Sequence, residues 1–97
     1  MGGFYPAISS GEKTSSAVIK AGRCFLSSVL VITDGTNPAT IIIYDNATEA
    51  AGKKLAEFLV AGATGYGGRN WTFPIRCDNG IYCSISGTGA SAIVEYV

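Results

Sequence analysis

The chain contains no histidine, and only 14% of its residues are charged, against about 25% in ordinary soluble domains. Without histidine the Ser-His-Asp and Cys-His nucleophile systems are excluded. With no Cys-x-x-Cys spacing either, zinc has no ligand set. Seven acids balance seven bases. The bases Lys13, Lys20, Arg23, Lys53, Lys54, Arg69 and Arg76 are dispersed. Nucleic-acid binding, which needs clustered cations to release phosphate counterions, is therefore not expected. Long apolar runs are missing too: nothing approaches the ~20 residues of a membrane helix. The start, Met1–Pro6, lacks the basic and apolar regions of a signal peptide, which predicts synthesis in the cytosol.

What is present is a composition built to pack. Hydrophobic residues make up 47% of the 97 positions, and 13 glycines punctuate short runs of Val, Ile, Thr and Tyr. That length predicts one domain with one core. Low charge with zero net charge offers little self-repulsion, so a homo-oligomer is expected. Three cysteines cannot all pair within the chain. They read as small buried apolar side chains.

Residues 1–14 read as an N-terminal arm, with Phe4-Tyr5-Pro6 as an anchor and Ser9–Thr14 as loop. Residues 15–97 read as a single β-sandwich domain, jelly-roll-like, of about seven short strands. Strands are expected at Ser16–Lys20 and Cys24–Thr33, with Gly22 bending the chain between them. In the second, strict alternation puts Phe25, Val29 and Val31 on one face and Leu26, Leu30 and Ile32 on the other. The turn cluster Asp34-Gly35-Thr36-Asn37-Pro38 predicts a hairpin from that strand to Ala39–Asp45. A single helical turn is expected near Thr48–Ala51, although Leu55, Phe58 and Leu59 also have helical spacing. A strand follows at Lys53–Val60 and a long irregular loop at Ala61–Asn70. Trp71–Ile75 reads as an edge strand, because Pro74 cannot donate to a ladder. If Asn79-Gly80 is a two-residue hairpin turn, Cys77 faces Tyr82 and points away from Cys83. Gly80–Ser86 alternates cleanly, with Ile81, Cys83 and Ile85 inward. Ser91–Val97 is a final strand that could also add to a partner's sheet.

The acids Asp34, Asp45, Glu49, Glu57, Asp78 and Glu95 fall mostly at turns or strand ends, where Asp beside Gly or Asn is first a turn former. Asp34, Asp45 and Asp78 would bind calcium only if their loops met at one end of the sandwich. Gly65–Arg69 resembles a phosphate loop superficially but lacks the Lys-Ser/Thr of that motif. The sequence thus points to no catalytic, cofactor or metal site, and to no enzyme. Tyr66, Arg69, Trp71 and Phe73, with the Phe4-Tyr5-Pro6 arm, are the residues expected to meet a partner. Tyr, Trp and Arg dominate interface hot spots.

Ile41-Ile42-Ile43-Tyr44-Asp45-Asn46, Phe73-Pro74, Gly80-Ile81-Tyr82 and Ser84-Ile85-Ser86-Gly87-Thr88-Gly89-Ala90 resemble small β-sandwich structural proteins of tailed-bacteriophage virions. The likeness runs over most of residues 17–97. It implies a non-enzymatic capsid decoration or cement subunit, made in the host cytoplasm and located in the virion. Its partners would be the major capsid protein or other virion subunits and further copies of itself, a trimer being favoured, with neither nucleic acid nor membrane. A neck or tail component is the alternative within that class. A carbohydrate-binding module, with Tyr44, Tyr66, Trp71 and Tyr82 as a stacking platform, is the alternative outside it.

Overall fold

The computed structural model describes residues 6–97, and its chain passes back and forth between two sheets. Eight strands follow in order: β1 (Ile8–Lys13), β2 (Ala17–Ala21), β3 (Cys24–Ile32), β4 (Ala39–Asp45), β5 (Lys53–Val60), β6 (Tyr66–Cys77), β7 (Gly80–Ser86) and β8 (Ser91–Tyr96). One sheet has the order β1-β8-β3-β6 and the other β2-β7-β4-β5. Every pairing is antiparallel. The pairs β1–β8, β2–β7, β3–β6 and β4–β5 nest around one turn, the order of an eight-stranded jelly roll. The expected all-β sandwich is therefore the observed fold.

β-branched density explains the centre. Ile41 and Ile43 of β4 are fully buried, and they share the core with Leu26, Val29 and Val31 of β3, Ile81 and Cys83 of β7, and Ala92 and Val94 of β8. β7 alternates as its sequence predicts, with Ile81 and Cys83 inward. Its neighbour β3 does not. Leu26 is fully buried while Phe25 is 42% exposed, yet Val29 and Val31 are inside and Leu30 is 40% exposed. A β-bulge causes the change of phase: Leu26 and Ser28 oppose the adjacent residues Tyr96 and Glu95, leaving Ser27 extra. β5 repeats the device. Ile43 opposes Ala56 and Tyr44 opposes Lys54, so Leu55 is skipped. Leu55, Phe58 and Val60 can then all pack on the core while Leu59 stays exposed.

Both expected hairpins fail for one reason, that most connections change sheet. The Asp34–Pro38 cluster does not close a hairpin; it carries the chain from β3 in one sheet to β4 in the other. Asn79-Gly80 likewise links β6 to β7 across the sandwich, so Cys77 opposes Cys24 on β3 rather than Tyr82. Among the described residues, β4 and β5 are the one consecutive pair that are neighbours in a sheet. Ser9–Lys13, expected as part of a Ser9–Thr14 loop in the arm, belong to β1, which pairs with β8. That pairing and β3 enclose β8, so Ser91–Val97 offers no free edge. The helical turn expected at 48–51 is a series of bends instead. The Asn46 side chain accepts from the Thr48 and Glu49 amides at 2.8 and 3.0 Å, holding that connection as a side-chain-capped turn. A 3-10 turn lies later, at Gly62–Thr64, and β6 starts four residues after Gly62. The irregular loop is correspondingly shorter than the glycines suggest.

The bulge in β3 makes opposite predictions for adjacent hydrophobic positions. Leu26→Ala should cost about 3 kcal/mol, as for other fully buried leucines. Leu30→Ala should cost under about 1 kcal/mol. Urea unfolding of both variants checks this, and equal losses would place the two side chains on one face.

Candidate interaction surface

Four of the residues expected to meet a partner, Tyr66, Arg69, Trp71 and Phe73, sit on β6, the outermost strand of its sheet. Pro74 is on the same strand, consistent with an edge, where a missing donor leaves no ladder bond unmade. β6 follows β3 from Tyr66 to Asn70 and again from Ile75 to Cys77. Between these stretches, residues 71–74 leave the ladder, because Asn70 and Ile75 oppose Ser28 and Leu26, which are two positions apart.

The excursion divides the aromatic residues by role. Trp71 turns inward, half-buried against the core, and meets Phe58 of β5 edge-on at 6.4 Å between centroids and 66° between planes. The Arg69 guanidinium lies 5.5 Å from the Trp71 ring centroid, within cation–π range. Trp71 thus joins the edge strands of the two sheets. Phe73 points the other way and is 86% exposed; Tyr66 is 69% exposed. These two are exposed aromatic side chains of β6, which among the described residues has a sheet neighbour on one side only. Pro6 is exposed at the start of the described chain. Phe4 and Tyr5 lie outside the described residues.

The proposed stacking platform is dispersed. Tyr66 is at the β6 edge and Trp71 lies between the sheets, whereas Tyr44 and Tyr82 oppose each other on β4 and β7 in the second sheet. Of the three acids in the calcium arrangement, Asp45 and Asp78 meet and Asp34 stands apart. Asp34 and Asp45 flank opposite ends of β4, about 20 Å apart at the usual strand rise. Asp34 is occupied by its own turn, accepting from the Thr36 and Asn37 amides at 2.8 and 2.7 Å and from Asn37 Nδ2 at 2.9 Å. Those bonds, led by the ones from Asn37, hold its carboxyl below the usual range. Asp78 pairs with Arg76 at 3.1 Å. No group of three or more His, Cys, Asp or Glu that could hold a metal ion occurs among the described residues.

Asp45 has a role that its sequence neighbours do not announce. The residue is 6% exposed, and its carboxylate accepts from three backbone amides of the β6–β7 connection: Asp78 at 3.1 Å, Asn79 at 2.8 Å and Gly80 at 3.3 Å. A side chain at the end of β4 thereby fixes where the chain crosses from one sheet to the other. Gly80 itself has φ +149°, and a Cβ there would collide with the Lys20 carbonyl oxygen. Burial pushes the Asp45 carboxyl up, but the Asn79, Asp78 and Gly80 amides, with Lys53, bring it below its ordinary value.

The three cysteines are free thiols in the core. Burial is the largest cause raising all three, with Cys77 and Cys83 pushed up to about 12. Such thiols are poor nucleophiles, as their reading as apolar core residues anticipates.

Replacing the Asp45 carboxylate should orphan buried donors. Asp45→Ala is expected to destabilise by about 3 kcal/mol at neutral pH. In the wild type the carboxylate's contribution is present above the unfolded-state pKa of about 3.9 and is lost as pH falls through the lower folded value. The variant should therefore lose part of the acid-unfolding slope below about pH 4. Unfolding free energies measured from pH 7 to 2 check both effects; an unchanged acid limb would contradict the clamp. No protein-family model matches the chain, and no curated protein or solved structure shows significant similarity to it.

Proposed function

We propose that this chain is a structural virion subunit of a tailed phage, a capsid decoration or cement protein that acts by packing rather than by catalysis. The observation that carries the reading is a jelly roll, a design recurrent in viral capsid subunits, whose edge strand presents Phe73 and Tyr66 to solvent. Two supports come from the chemistry. Low, balanced charge permits close packing of copies. The buried cysteines and the occupied Asp34 and Asp45 carboxylates are used internally, for core and turns.

In this reading the Phe73 ring and the β6 edge dock on a neighbouring copy, and the resulting oligomer, a trimer by preference, seats on the major capsid protein. Each contact is modest. Burial of apolar surface contributes roughly 25 cal/mol per Å², and repetition over a lattice multiplies the hold through avidity. The same surface would serve a neck or tail position.

Light scattering on the purified chain, followed by co-sedimentation with phage heads that lack it, tests the proposal. A closed oligomer that loads in high copy is expected. Phe73→Asp should change monomer stability by no more than about 0.5 kcal/mol, since the ring is exposed. It should nevertheless weaken assembly and loading by at least about tenfold, as loss of an interface anchor does. A monomeric wild type that ignores heads would overturn the decoration reading.

A further inference from the structure

The outer face of the β1-β8-β3-β6 sheet carries an ordered pattern that extends beyond the β6 edge. Registers place its side chains in rows across the strands. Ser9 of β1 opposes Glu95 of β8, Glu95 opposes Ser28 of β3, and Ser28 opposes Asn70 of β6. These form a polar row spanning all four strands. The next row holds Ile93, Leu30 and Gly68. Tyr66 follows on β6, opposite Ile32. The β3 bulge creates this pattern, because it sends Ser28 and Leu30 outward while Val29 and Val31 fill the core.

The surface is recessed where the rows meet β6. An open cleft of about 690 Å³ is lined by the residues of the two rows with Tyr66 and Arg69. Gly68 in its lining has no side chain and can accept none. At φ +138°, a Cβ would collide with the Val29 carbonyl oxygen. One wall is already organised. Ser28, 8% exposed, donates its hydroxyl to Glu95 Oε1 at 2.6 Å. That bond fixes the carboxylate and leaves Oε2 without a hydrogen bond among the described residues.

We propose that this cleft binds a neutral saccharide. A pyranose has apolar C–H faces and a rim of hydroxyls that both donate and accept. The cleft matches both: Leu30, Ile93 and the exposed Tyr66 ring offer apolar contact, while Glu95 accepts and Ser9 and Asn70 donate or accept. The charge pattern favours a neutral ligand, since among the described residues lining the cleft Glu95 is the one carboxylate and Arg69 the one cation, drawn toward Trp71 at 5.5 Å. The site shares Tyr66 with the β6 edge but lies on the sheet face. It goes beyond the virion reading and does not rest on it, since sugar binding by the free chain is measured without heads.

The test is a titration of 15N-labelled full-length protein with cello-, malto-, manno- and N-acetylchito-hexaose, followed by amide shifts. The amides of Leu30, Gly68, Asn70 and Glu95 should move with at least one sugar, with a dissociation constant of about 1 mM or tighter. Glu95→Gln keeps the shape and should weaken binding about tenfold, as should Tyr66→Ala, whereas Tyr82→Ala on the other sheet should leave it unchanged. Silence of these amides toward all four sugars at about 20 mM, far above that constant, would overturn the proposal. So would shifts centred on Tyr44 and Tyr82. Movement of the cleft amides with protein concentration alone, unaffected by sugar, would assign the face to a second copy and overturn it equally.

Discussion

The two sheets can exclude water from between them only if every central strand turns its apolar side chains the same way along its whole length. β3 and β4 set this condition. Ile41 and Ile43 satisfy it by plain alternation. β3 cannot, because its hydrophobic residues occur on both parities; the bulge at Ser27 resolves the conflict by spending one residue outside the pattern. Leu26 and Val31 are then buried together, although five positions apart. The same residue shift turns Ser28, Leu30 and Ile32 to the outer face, so the core's demand also writes the pattern of the cleft.

The second condition is topological. A jelly roll pairs the ends of the chain with each other, β1 with β8, so its ladder closes over long sequence separations. Each crossing between sheets has to be aimed without a neighbouring ladder to guide it. Polar side chains supply the aim. Asp45 holds the β6–β7 crossing by three amides, and Asp34 folds the β3–β4 crossing around its own carboxylate. Thr33 adds a bond to the Gly62 carbonyl at 2.7 Å, joining that crossing to the one from β5 to β6. These groups look like candidates for chemistry in a list of acids, and the fold consumes them.

What the fold leaves over is a surface. The residues 71–74 leave the β3 ladder, driving Trp71 inward to bridge the two sheets and Phe73 outward into solvent. One local irregularity therefore links the edge strands of the two sheets and exposes the Phe73 ring. The outer sheet faces add apolar and hydroxyl side chains with few charges. Such a surface suits contact with other uncharged surfaces, whether copies of the chain or a sugar.

Composition and local pattern determined the class of fold: β-branched runs broken by turn residues make strands, and scarce charge makes them pack. The inward set of β7, the strand at Lys53–Val60, the edge position of Pro74 and the apolar role of the cysteines follow from local physics and were legible. Strand partners were not, because turn residues reverse a chain equally well within a sheet or between two. Asp34–Pro38 and Asn79-Gly80 therefore read as hairpins although they are crossings. The faces of β3 were illegible for a related reason. Alternation fixes which residues share a face only while the ladder is regular, and the bulge exists to satisfy partners distant in sequence. The outer-face cleft and the Asp45 clamp belong to tertiary structure for the same cause. Ser9, Ser28, Asn70 and Glu95, like Asp45 and Gly80, are far apart along the chain, and only the pairing of four strands or the stacking of two sheets brings each group together.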